Sequence, residues 1–281
     1  MADGRLTTVE RIEEGRVVVE GQRGPAAYFE RESATRFRPT PHVGGGWNPD
    51  EQHIAPAIGL LAHLIERDRD QRRGDDLAIS RLSCDILGTL PLESIEIEID
   101  VLRPGRTIEL VEARLVHDGR CAALVRAWLV GRHDTRGYAG TPLARIAAPD
   151  DLPSRDPGRL WPGGFVRSVE ARGAGGEPGR ATFWIRTDVE LVAGEAASPT
   201  ARMLGFVDIA NGVTPRVSAE QVFFPNLDLT AHIFREPRGD WVGFDTYVSF
   251  GPDGLGLTHS VLHDTTGPLG AVEQTLTVRP R

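Results

Sequence analysis

Ile95, Ile97 and Ile99 alternate with Glu96, Glu98 and Asp100. A period of two with one apolar and one charged face predicts a half-buried strand. Strand patterns fill the chain from Ile79 to about Arg132, where the turns LRPG and HDGR separate the runs around IEIEID, TIELVEARLV and CAALVRAWLVG. Three long antiparallel strands in a meander are predicted there. Earlier, about Arg16 to Glu32 alternates with glycines between, which predicts one or two short strands. Between the two regions, Pro56 to Arg67 (PAIGLLAHLIER) is apolar almost all round with proline at a plausible first helical position. It reads as a buried helix that ends in the solvated charge run RDRDQRR.

About His133 to Leu160 is rich in Pro, Gly, Asp and Arg and has no period, which marks a linker. The same order of elements then returns. GGFVRSVEAR and RATFWIRTDVELV read as strands joined by the hairpin loop GAGGEPG. Pro199 to Val213 (PTARMLGFVDIANGV) reads as a helix capped by Ser198, and LDLTAHIF, DWVGFDTYVSF, GLTHSVLHD and LGAVEQTLTV give a second strand series. HDGRCAALVRAWLV matches HDTTGPLGAVEQTLTV, with His117 and His263 separated by 146 residues and Val125 and Val272 by 147. A nearly constant offset predicts two copies of one fold in tandem, at 1–134 and 161–281 with a linker at 135–160.

Composition narrows the function classes. A net charge of -8 argues against nucleic acid or an anionic membrane as the main partner. All 32 basic residues are arginine, so a lysine Schiff base and a P-loop lysine are both excluded. Cys84 and Cys121 have no metal-ligand spacing and read as free thiols in a reducing compartment, with a nucleophilic Cys-His pair as the alternative. The N-terminal stretch lacks a basic and an apolar region of the secretory kind, and no segment has the length of a membrane span, so the expected location is cytoplasmic.

Asp208 is the odd residue. Ala201, Leu204 and Asp208 stand at i, i+3 and i+7, which puts the acid on the apolar face of the predicted helix. A carboxylate there is either a perturbed functional group or a partly exposed acid near a helix end. Gly44, Gly45 and Gly46 lack a following GK[ST] or GxGxxG and read as a flexible loop beside a helix. His63 has no histidine or carboxylate at i+4 and reads as a satisfied core or boundary histidine.

A buried helix wrapped by a long antiparallel sheet, twice in one chain, resembles the double hotdog architecture, an α+β fold. WNPDEQH before the first helix, WIRTDVELV before the second, FVDIANG, and the run from NLDLTAHIF to the C-terminus resemble the acyl-CoA thioesterase family of the thioesterase II type, particularly its actinobacterial branch. The resemblance covers nearly the whole chain and is strongest from about Trp184. It implies hydrolysis of an acyl-CoA thioester to a free acid and CoA, without metal or cofactor, in an edge-paired homo-oligomer. It carries three residues over: Asp208 as general base, with Asn226 in FPNLDLT and Gln274 in VEQTLTV as its partners in holding one water, while backbone N–H groups at a helix N-terminus bind the thioester oxygen. Singly, Asn226 also reads as a turn former and Gln274 as a solvated strand residue.

Two departures stand out. Asn226 occupies a place where the family's better-known members carry a hydroxyl residue, and the family's glycine pair at the first helix reads here as Ile54-Ala55 or, with an insertion, Gly45-Gly46. The first half has Ala127 or Arg126 where Gln274 would repeat, and so reads as a structural partner that helps form the acyl pocket. Two alternatives accompany hydrolysis. A non-catalytic acyl-CoA binding protein of the regulatory kind needs a DNA-binding helix-turn-helix, which is not legible here. Hydration of an enoyl-CoA pairs the Asp with a His a few residues on, and after Asp208 the chain reads IANGVTP.

Overall fold

The computed structural model describes residues 10–13, 16–19, 26–74 and 76–281. Within the region predicted as one or two strands, Arg16–Val19 and Ala27–Arg31 are extended, and residues 20–25 lie outside the described residues. Most of the N-terminal stretch read for a leader lies outside them too.

The first half contributes strands β1 (Ala27–Arg31), β2 (Arg36–Pro39), β3 (Leu77–Ile86), β4 (Ile95–Arg103), β5 (Ile108–His117) and β6 (Arg120–Gly131). The second contributes β7 (Glu170–Ala174), β8 (Arg180–Arg186), β9 (Asp228–Ile233), β10 (Val242–Phe250), β11 (Leu255–Asp264) and β12 (Gly267–Thr277). Their order across one sheet is β1-β2-β4-β5-β6-β3-β9-β12-β11-β10-β8-β7, with Glu190–Val192 added beside β1 and Ser154–Arg155 beside β7. Outward from the β3–β9 junction the two sides mirror each other: β6, β5, β4 and β2 answer β12, β11, β10 and β8. This is a double hotdog, joined edge to edge where Leu229 faces Cys84.

Alternation explains the strands. Ile95 and Ile97 are buried while Glu96, Glu98 and Asp100 are exposed. On β12, Val272, Gln274 and Leu276 share the buried face, so Gln274 is a core residue and not a solvated one. The β5–β6 hairpin turns through Asp118 and Gly119, both at positive φ, the conformation a two-residue hairpin loop requires.

The first helix, α1, spans Ile54–Arg72 and starts two residues before the predicted Pro56. Its cap is His53, whose Nδ1 accepts the Ala55 N–H at 3.2 Å. The charge run is absorbed into the last turns, where Arg72 and Arg73 both bond the buried Glu109. The second helix is not continuous. Pro199–Leu204 forms α2, capped by Ser198, then Val207–Ile209 tightens to a 3₁₀ turn, and Ala210–Val213 forms α3. The helical face predicted from Ala201, Leu204 and Asp208 is therefore broken before it reaches the acid.

The break falls at Gly205, which meets Gly59 of the first helix. A Cβ at Gly59 would stand 2.8 Å from the Gly205 Cα, so α1 and α2 cross with backbone against backbone. These glycines are 146 residues apart, the offset of the repeat, so one position of the fold meets its own copy. At the same offset Ala62 stands opposite in place of Asp208. Gly59→Val would force the helices apart and is expected to destabilise the fold by about 1–3 kcal/mol, the usual cost of overpacking. Urea unfolding checks this, and a variant as stable as the native chain would contradict the close crossing.

The predicted linker carries an ordered wall. Ser154–Arg155 pairs with β7, and just past the linker the Trp161 indole N–H donates to the Gly212 carbonyl at 2.8 Å. His63 is buried and bonds Glu195 at 3.1 Å, which matches its reading as a satisfied core histidine.

Candidate active site

Asp208 is only 5% exposed, which removes the reading of a partly exposed acid at a helix end. Its Oδ1 accepts two amide N–H bonds, from Asn226 Nδ2 at 2.6 Å and Gln274 Nε2 at 3.0 Å. The three residues singled out in the sequence thus meet at one oxygen, brought there by the 3₁₀ turn, the segment before β9, and the buried face of β12. The geometry differs from three groups around a water, because both amides hold the acid itself. The second hydrogen of Asn226 Nδ2 goes to the Asp228 carbonyl at 3.2 Å.

Burial raises the Asp208 pKa to about 7, against the opposing pull of the Asn226 and Gln274 donors. The carboxyl is thereby poised near neutrality, where a general base works best. Its other oxygen, Oδ2, lies 3.6 Å from His53 Nδ1, so the first half reaches the site through the cap of α1. Burial lowers the His53 pKa to about 4, and its ring packs on Phe165 at 4.4 Å. His53 is therefore neutral, and accepting the Ala55 N–H places its remaining proton on Nε2.

His53 is not among the residues that the sequence singles out. It lies in the WNPDEQH run, and its partner Asp208 stands 155 residues away in the chain.

A cavity of about 540 Å³ opens beside this cluster and is lined from both halves. Gly45, Gly46, His53 and Ile54 come from the first half, and Asp208, Asn226 and Phe223 from the second. Its apolar wall is an aromatic cluster in which Trp47 meets Phe223 at 4.5 Å, Trp161 at 4.6 Å and Phe224 at 5.2 Å. The glycine loop is this wall's support: Gly45 N–H donates to Glu51 O, and His53 N–H to Val43 O, both at 2.7 Å. Both candidates for the glycine pair, 45–46 and 54–55, thus converge on the start of α1. Among the first N–H groups of that helix, Ala55 is taken by His53 and Pro56 has none, which leaves Ile54 as the donor beside the cavity.

The remaining candidates lie elsewhere. Cys84 is buried, and burial pushes its thiol pKa far up, which leaves it inert at neutral pH. Cys121 is half-buried on β6, and its thiol bonds the Ala123 carbonyl. Among the described residues no cluster of His, Cys, Asp or Glu has the arrangement of a metal site, and no helix is long and apolar enough to cross a membrane.

Two hotdogs in one chain, closing a cavity over a buried acid, define the double hotdog thioesterase class. Residues 43–130 match the acyl-CoA thioesterase N-terminal domain and residues 148–278 its C-terminal domain. The chain belongs to this acyl-CoA thioesterase family and is a thioester hydrolase. Solved structures agree on the fold. Acyl-CoA thioesterase II TesB2 from Mycobacterium marinum superposes with a TM-score of 0.65 at 16% identity, over 90% of this chain and 95% of that one. A tesB protein from Mycobacterium avium gives 0.66 at 15% identity, over 90% and 96%. A hot dog protein from Alicyclobacillus acidocaldarius gives 0.67 at 12% identity, over 89% and 95%. No curated protein matches the sequence at a significant level.

Proposed function

We propose that this chain hydrolyses an acyl-CoA thioester to the carboxylic acid and CoA through a water deprotonated by Asp208. The observation that carries the reading is the asymmetric carboxylate: Oδ1 is fixed by two amides, while the acid lines a cavity lined from both halves. The water oxygen bonds to the thioester carbon as Asp208 takes its proton. The tetrahedral intermediate's oxyanion is met by the Ile54 N–H at the positive end of α1. The carbon–sulfur bond then breaks, and Asp208 returns its proton to the CoA thiolate.

The amides have a second function in this scheme. With Nδ2 donating to Asp208 and to the Asp228 carbonyl, Asn226 keeps Oδ1 as an acceptor able to take the water's other hydrogen. In this scheme Asn226 orients the water. Gln274 is placed to hold the carboxylate. Its Oε1 has no protein donor.

Because each amide N–H favours the charged carboxylate, Gln274→Ala is expected to raise the Asp208 pKa and shift the rising limb of kcat/KM to higher pH. A pH–rate profile checks the sign. An unmoved or acid-shifted limb would contradict it.

The nearby His53 favours a second reading, enoyl-CoA hydration by an Asp-His pair, which the sequence just after Asp208 speaks against. Its Nδ1 accepts a backbone N–H and the ring is held neutral, so it is not a proton donor toward Asp208. Free thiol released from a panel of acyl-CoA esters of graded length separates the two and brackets the acyl chain. Hydration releases none.

A further inference from the structure

We propose that Arg279 and Arg281 receive the phosphate end of coenzyme A at the mouth of the Asp208 cavity. This rests on the thioesterase reading above and adds the part of the substrate that the carboxylate does not touch. Beyond β12 the chain is pinned across the cavity's edge. Arg279–Pro280 pairs antiparallel with Val222–Phe223, and the Arg281 N–H donates to the Gln221 carbonyl at 3.0 Å. This ribbon holds both guanidinium groups over one ring, with the Arg279 and Arg281 Cζ atoms 5.1 Å and 5.6 Å from the Phe223 centroid. Phe223 and Arg279 are themselves part of the cavity wall.

In an acidic protein most arginines in contact with another element have a carboxylate, as Arg31 has Glu195 and Arg235 has Asp264. Among the described ion pairs neither Arg279 nor Arg281 has one, and Glu51, the other acid in the cavity lining, pairs with neither. Two like charges at one ring repel unless an anion joins them. Guanidinium forks suit phosphate, which they bind with paired N–H bonds.

The span fits. Arg279 lies five residues beyond Gln274, about 16 Å along an extended chain. A pantetheine arm from sulfur to phosphorus has roughly the length of four extended residues, about 15 Å. A thioester at Asp208 would therefore deliver its first phosphate to the arginine pair.

The test compares each acyl-CoA with the matching acyl-pantetheine ester, which lacks the phosphates, for the native enzyme and for Arg279→Ala/Arg281→Ala. The native enzyme is expected to prefer the CoA ester in KM, and the double variant to lose about tenfold of that preference, as expected for charge-assisted bonds to phosphate. An equal ratio in both proteins overturns the proposal. Calorimetry with free coenzyme A is the second measurement. The variant should bind more weakly and with a shallower salt dependence between about 50 and 200 mM. Equal affinity for coenzyme A in both proteins also overturns it. Native turnover of pantetheine esters without preference for CoA would overturn this site and leave the thioesterase reading standing. Absence of turnover with every thioester would sink that reading, while the calorimetry still judges the arginines.

Discussion

Asp208→Asn is expected to fold and to lose about 10²- to 10⁴-fold in kcat, the usual worth of general-base assistance. Asparagine keeps the carboxylate's shape, and its Oδ1 can accept the same Asn226 and Gln274 N–H bonds that hold the native acid. What it loses is the ability to take a proton from water. KM for an accepted acyl-CoA should change little, because the acid acts on the water and not on the bound ester. Hydrolysis at the parental rate by a folded variant would remove Asp208 from the mechanism.

The same variant should be the more stable protein in alkali. Asp208 has a folded pKa of about 7 against an ordinary value of 3.8. An acid raised in this way takes up a proton on folding between those values, so native stability falls as pH rises from about 4 to about 7. The full shift corresponds to about 4 kcal/mol at most. The substituted asparagine does not titrate and escapes that loss. Urea unfolding at about pH 5 and pH 8 should show the stability of the variant relative to the native chain rising with pH. A difference independent of pH would show that Asp208 is not buried as an acid. The opposition between stability and activity at this position is what a functional group held in an apolar site implies.

The strands were legible because burial is one-sided. Alternation in IEIEID marks one wet and one dry face, and the buried position of Gln274 between Val272 and Leu276 follows the same period. Helix boundaries were less legible, because the cap of α1 is a histidine, a residue type outside the usual N-cap set. Asp208 was found for an incomplete reason. A continuous helix from Pro199 to Val213 does not form: its first segment ends at Gly205, where the backbone meets Gly59, and that contact has no trace in local periodicity. His53 was hidden for the same reason: its closeness to Asp208 exists only once the two repeats face each other.

The repeat itself explains why the chain has an acid on one side only. With Ala62 at the offset of Asp208, the first half keeps the packing position and drops the charge. The cavity is then asymmetric, with the helix start of one half opposite the acid of the other. In the proposed mechanism that division makes the N-terminal half the donor of the oxyanion contact.

The most direct test of water activation by Asp208 is a single turnover in ¹⁸O-water with enzyme in excess over an accepted acyl-CoA. The product acid is expected to carry the label after that first turnover, because the water oxygen bonds straight to the acyl carbon. Unlabelled acid, with ¹⁸O appearing in the Asp208 carboxylate, would mean that the aspartate had attacked the thioester itself, and would contradict the account.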